Sequence, residues 1–333
     1  MPKLPRCLSN SLAALAAALA LAASAAAEDV VRVNTFPSAT SSPVWIGSEM
    51  GLFGKRGIRV ELQFTANSDS QREGLAKGAF EIAHAAVDNA VAMVETAHED
   101  AIIVTGGDDG LNEFMARPEI KSLSDIRGKA LLVDAPNTAY GLMARKILKN
   151  AGLLDGRDYV LKPVGGTPLR LKGLLEGAEN AAGMLNPPYS FAAKDKGLKS
   201  FGSAVDLLGP YQAGGAFVMR KWARANGGLL ERYIAAYIES VRAATDPANR
   251  ARVIASIAAR LKQDPRVAER TYEALTGKHG LAPDAKFDME GFKAVLALRA
   301  EIEGQWGGHA PAPDKYIDLG YYDRALKLAG RKM

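Results

Sequence analysis

Residues 30–64, VVRVNTFPSATSSPVWIGSEMGLFGKRGIRVELQF, decide the fold class. The run VVRVNTF alternates and is rich in β-branched side chains, which predicts a strand. In SSPVWIGSEMG, Ser42 suits an N-cap, Pro43 the first helical position and Gly51 the stop. IRVELQF alternates again. Strand, helix and strand in that order form a βαβ unit, so the two strands run parallel and the helix crosses over right-handed.

The pattern repeats outward from there. A helix near Ser70–Lys77 stops at Gly78, FEIAHAA is the next strand, a helix covers about Asp88–Ala97, and AIIVTGG is a strand. After RPEIKSLSDIRGK a second set begins: strand ALLVD, helix TAYGLMARKILKNAGL, strand YVLKPV, helix TPLRLKGLLEG with Thr167 as N-cap, and strand NAAGML. GGAFVMRKW reads as a strand leading back to the first set, and the remainder is helical. The expectation is α/β, with two open, mostly parallel sheets flanked by helices. Its division is a first lobe over 28–116 plus 208–333 and an inserted second lobe over 117–207. The two crossings, near GGDDGLNEF and GPYQAGGAF, are glycine-rich, which suits a hinge.

The first 27 residues differ in kind. Lys3 and Arg6 precede an uncharged alanine-rich run that ends in Ala25-Ala26-Ala27, the form of a secretory signal peptide cleaved after Ala27. Cleavage leaves 306 residues, lowers the formal charge from +5 to +3 and removes Cys7, the only cysteine. So small a positive charge argues against nucleic acid or an anionic membrane as partner. The mature chain has no thiol or disulfide chemistry.

Catalytic and metal signatures are absent from the sequence. His84, His98, His279 and His309 have no metal-ligand spacing, and there is no nucleophile elbow, P-loop or dinucleotide fingerprint. Asp108 and Asp109 in TGGDDG would repel an anion. What remains is a set of polar clusters where strands end and helices begin: TFPSATSSP, AHAAVDNA, VDAPNTAY, GGTP and NPPYS. The carboxyl ends of strands in open α/β sheets are where ligands bind, and helix N-termini there offer N–H donors.

SSPVWIGSEMGLFGKRGIRVEL resembles the P-x-x-x-A-x-x-x-G-x-F-x-x-x-G-[IL]-x-V signature of periplasmic substrate-binding proteins of the nitrate/sulfonate/taurine type, related to thiamine-pyrimidine-binding proteins, which serve ABC importers. GLAKGAFEIAHAAVDNAVAM, SLSDIRGKALLVDAPNTAYGLMARKILKNAGL, PVGGTPLRLKGLLEGAENAAGMLNPPY and VMRKWARAN follow in that family's order. Gly47 stands where the family commonly has alanine, a departure expected to be neutral. The resemblance implies a two-lobed, type II-like flytrap fold. It implies a monomeric, periplasmic, non-enzymatic protein without metal or cofactor, whose partners are a small-molecule ligand and the membrane permease of an ABC importer.

Carried over by position, the ligand-binding residues are Ser38, Thr40, Ser41, His84, Asp88, Asn89, Asn137, Thr138, Thr167, Asn186 and Tyr189. Several have plainer roles open to them. His84 could be a satisfied packed histidine, Asp88 suits a helix cap, and one of Asn137 and Thr138 must cap the helix that follows. Trp45 reads as packing. Arg72, Arg117 and Arg170 are candidates for an anion clamp, with a solvated surface charge the plainer reading of each. The helix N-termini favour a small organic anion, a sulfonate or carboxylate, aromatic if Tyr189 stacks on it. The alternatives are a neutral pyrimidine, a biosynthetic enzyme on the same fold, or the ligand-sensing subunit of a receptor.

Overall fold

The computed structural model describes residues 28–330. The expected signal peptide at 1–27 and Cys7 lie outside the described residues. The strands are β1 (Asp29–Thr35), β2 (Ile58–Phe64), β3 (Ile82–Ala86), β4 (Ala101–Ile103), β5 (Glu113–Ala116), β6 (Ala130–Val133), β7 (Val160–Pro163), β8 (Asn180–Leu185), β9 (Lys199–Ser203) and β10 (Gly214–Met219). The helices of the first half are α1 (Ser42–Glu49), α2 (Ser68–Ala76), α3 (Asp88–Thr96), α4 (Ala139–Asn150), α5 (Thr167–Glu176) and α6 (Tyr189–Asp195). Those of the second half are α7 (Ala204–Leu208), α8 (Arg220–Ala225), α9 (Gly227–Thr245), α10 (Arg250–Leu261), α11 (Pro265–Thr276), α12 (Met289–Glu303) and α13 (Gly320–Leu328).

Two five-stranded sheets result, ordered β2-β1-β3-β10-β4 and β7-β6-β8-β5-β9. In the first, β1 pairs in parallel with β2 and β3, while β10 returns antiparallel between β3 and β4. In the second, β6 pairs in parallel with β7 and β8, and β5 is antiparallel to β8 and β9. Each sheet thus has one strand reversed, and that strand is the one entered through a crossing. The chain passes between sheets at β4–β5 and at β9–β10. Because Glu113–Ala116 already pairs in the second sheet, the first crossing ends ahead of residue 113 rather than at the expected 117.

The opening unit forms for the reasons its pattern suggests. Val31 and Val33 are buried on β1, and the N-cap of α1 is Ser41, so Pro43 falls at the second helical position rather than the first. Trp45 is buried packing, as read. Gly47, however, is not neutral. A Cβ there would fall 1.8 Å from Ser240 Oγ and 2.7 Å from Ser240 Cβ on α9, and 2.8 Å from the Phe53 ring. The glycine lets α1 and α9 approach closely. Gly47→Ala is therefore expected to destabilise by about 1–3 kcal/mol, although alanine is the better helix former by about 1 kcal/mol. Addition of Ser240→Gly is expected to recover part of the loss in the urea midpoint.

Helix α12 sits against both lobes. One hydrophobic core runs from Ala83 and Val91 of the first lobe through Phe292 and Val295 of α12 to Leu142 and Leu148 of α4. Phe292 and Val295 are fully buried, each contributing roughly 1.5–3 kcal/mol. The C-terminal helices are thus part of the scaffold that positions the lobes. No described helix is long and apolar enough to cross a membrane.

Candidate functional site

The carboxyl ends of β1, β3 and β4 face those of β6, β7 and β8 across a cavity of about 780 Å³, its mouth included. Of the eleven residues expected at a ligand site, Ser38, Thr40, Ser41, His84, Asn89, Thr138, Thr167 and Asn186 line it. Asp88, Asn137 and Tyr189 do not.

The three exceptions have clear alternative positions. Asp88 is fully buried and pairs with Arg299 of α12, 3.2 Å away, instead of capping its own helix, whose N-cap is Val87. Asn137 turns its side chain toward Arg72, whose Nη2 donates to Oδ1 at 3.2 Å, and its carbonyl accepts from Arg299 at 3.0 Å. Tyr189, at the start of α6, packs with Leu171, Leu174 and Leu185. Arg72 and Arg117 are not solvated clamps either. Arg72 also pairs with Asp69, and Arg117 pairs with Glu119 while donating to the carbonyls of Leu174 and Gly177.

Neither Asn137 nor Thr138 caps α4. Thr138 occupies the N-cap position, but its hydroxyl donates back to the Ala135 carbonyl at 2.8 Å. The N-cap of α5 is Gly166, which has no side chain to offer. Both helices therefore lack a side-chain cap and turn positive dipole ends to the cavity; in α5 the Thr167 N–H is the donor left, since Pro168 has none and those of Leu169 and Arg170 go to the Gly166 carbonyl. Asn89 and Asn186 add groups of opposite character. Asn89 Nδ2 donates to Ser68 Oγ at 3.3 Å and Asn186 Nδ2 donates to Ser38 Oγ at 3.0 Å, leaving both Oδ1 atoms buried and unpartnered.

Charged residues that sequence reading missed or discounted also line the cavity. Arg170 is buried, not solvated. It donates to the carbonyls of Met184 and Gly165 and to Thr167 Oγ1, at 2.9, 2.7 and 2.9 Å. Its place one turn after Thr167 was the available signal, since residues three apart share a helix face. Asp134 accepts from the Ser68 N–H at 3.1 Å and from the Ser68 hydroxyl; burial raises its pKa, partly offset by Ser68 and Arg170. Asp108 is pushed up to about 6 by burial, against the pull of the Gly110 N–H. His84 is buried with Nε2 2.9 Å from the Tyr233 hydroxyl, and burial lowers its pKa to about 3, so the imidazole is neutral. Tyr140 and Tyr237 supply aromatic wall. Tyr237 comes from α9, and nothing local in the sequence marks it.

The two lobes touch directly around this cavity. The Gly166 N–H donates to the Ala66 carbonyl at 2.7 Å, and Asn186–Ser38, Asp134–Ser68 and Arg299–Asn137 cross between lobes as well. Gly165 fits there because its φ is +97° and a Cβ would fall 2.9 Å from Ala66 O.

Two α/β lobes closing on a polar cavity at their strand ends define a two-lobed binding-protein fold. The chain belongs to the NMT1/THI5-like family, whose model matches residues 38–249. The periplasmic nitrate-binding protein NrtA from Synechocystis PCC 6803 is similar at 11% identity, over 91% of this chain and 89% of that one, with a TM-score of 0.75. A ligand-binding component of an ABC-type import system from Staphylococcus aureus, with zinc bound, is similar at 13%, over 90% and 99%, with a TM-score of 0.74. The alkanesulfonate-binding protein SsuA from Xanthomonas axonopodis pv. citri, bound to MOPS, gives 16%, 89% and 99%, and 0.68. At these identities the likeness shows the fold. No curated protein matches the chain.

Proposed function

We propose that this is an exported, periplasmic solute-binding protein that captures a small organic molecule between its lobes and presents the closed form to the membrane permease of an ABC importer. The observation that carries the reading is the pair of uncapped helix N-termini, α4 and α5, facing one interlobe cavity beside Arg170. An acceptor or anionic end of the ligand, a sulfonate or carboxylate, fits that wall. Ser38, Thr40, Ser41, His84, Asn89, Thr138, Thr167 and Asn186 are its proposed contacts. Asp88 and Asn137 act one step away, by fixing the α4 junction.

A ligand that touches both lobes biases the open–closed equilibrium by its differential affinity for the closed form. The lobe-to-lobe hydrogen bonds then add to its hold. Native mass spectrometry of gently purified protein tests this. A bound small molecule, released on denaturation and retained less by Thr167→Gly, is the expected result. Protein that never carries a small molecule, even after incubation with cell extract, speaks against it.

A further inference from the structure

We propose that Asp108 is a specificity-determining residue that seats an N–H-bearing nitrogen of the ligand, an ammonium, amidinium or ring N–H, so that the ligand carries a donor end as well as an acceptor end. This rests on the solute-binding reading and sharpens its ligand class. Asp108 is 6% exposed, lines the cavity, and has no Lys, Arg or His partner among the described residues. Among the described residues, the one hydrogen bond to its carboxyl group is from the Gly110 N–H to Oδ1 at 2.9 Å.

A buried carboxylate in that condition is costly unless something compensates it, and folding alone gives no reason to keep it. The chain also makes room for it, since a Cβ on Gly214 would fall 2.0 Å from Asp108 Oδ2. Asn89 Oδ1 and Asn186 Oδ1 lie on the same cavity, each on a residue less than a tenth exposed and each without a donor. Neutral His84 supplies no counter-charge. Three acceptors short of donors on one cavity call for a ligand that brings them. The acceptor end stays with the α4 and α5 N-termini, and the nitrogen goes to the wall built from the end of β4.

Titration calorimetry on wild type and Asp108→Asn with two matched pairs of probes tests the assignment: taurine against isethionate, and 4-amidinobenzoate against terephthalate. Thermal unfolding of both proteins without ligand runs alongside. The nitrogen-bearing member of a pair is expected to bind at least tenfold tighter than its partner, and Asp108→Asn to erase that preference. Ligand-free Asp108→Asn is expected to melt at or above the wild-type temperature at pH 8, because it removes an unpaired buried charge and keeps the acceptor for Gly110. Equal or reversed preference, a preference that survives in Asp108→Asn, or a variant melting several degrees lower overturns the proposal. Binding of isethionate or terephthalate alone overturns the nitrogen assignment and leaves solute capture standing. Binding of none of the four also counts against the nitrogen, and only the further absence of any retained molecule counts against solute capture.

Discussion

Arg299→Met is expected to destabilise the protein by about 3–5 kcal/mol, the cost of leaving a buried charge without its partner. Both side chains of the Asp88–Arg299 pair are completely buried, and Asp88 sits at the first residue of α3, deep between the lobes. Removing the guanidinium strands a carboxylate whose pKa burial already raises, and it also takes the donor from the Asn137 carbonyl. The double variant Asp88→Asn with Arg299→Met is expected to recover most of that stability, since no charge is then stranded. Its ligand affinity is expected to remain lowered, because the junction ahead of α4 has lost the contact that ties it to the first lobe. Urea unfolding of the single and double variants checks the first expectation, and calorimetry with the ligand found by mass spectrometry checks the second. A single variant as stable as wild type would mean that the pair does not hold the fold together.

The second large effect is acid sensitivity at His84. The folded imidazole stays neutral down to about pH 3, whereas the unfolded one takes up its proton near 6.5. A group whose folded pKa is depressed contributes stability that is fully present above 6.5 and lost as pH falls toward 3. By pH 4 the loss amounts to roughly 3 kcal/mol. Asp108 acts in the opposite sense. Its folded pKa of about 6 exceeds the ordinary 3.8, so its burial penalty is relieved as pH falls from about 6 to 3.8. Comparing wild type with His84→Gln isolates the histidine, because Asp108 is common to both. Between pH 7 and pH 4 the wild type is expected to lose about 3 kcal/mol more than His84→Gln in urea titrations. Parallel losses would mean that His84 is not held neutral.

The features legible in the sequence are those set by neighbours along the chain. Alternation on β1, the Ser-Pro start of α1 and the polar clusters after β1, β3, β6, β7 and β8 all read locally, and eight of the eleven expected residues line the cavity as a result. The misses depend on partners far away. Asp88 looks like a cap until Arg299, 211 residues later, is seen beside it. Asn137 looks free for ligand until Arg72 and Arg299 reach it from the other lobe. Arg170 is charged and helical, which in isolation describes a surface residue; only the carbonyls of Gly165 and Met184 make its burial tolerable. Gly47 reads as neutral because Ser240 approaches from a different helix. Asp108 reads in isolation as a source of repulsion, although repulsion of one group is attraction for another.

Closure of the lobes on a ligand, the motion proposed above, is read out by the separation between them. Cys7 is the only native cysteine and precedes the expected cleavage point, so paired spin labels can be placed at Glu73→Cys on α2 and Lys172→Cys on α5, both exposed positions on different lobes. Double electron–electron resonance is then recorded on protein freed of ligand by unfolding and refolding, and again after the identified ligand is restored. The expected result is a longer or broader separation without ligand that collapses to a single short distance with it. The same distance distribution in both samples would contradict it.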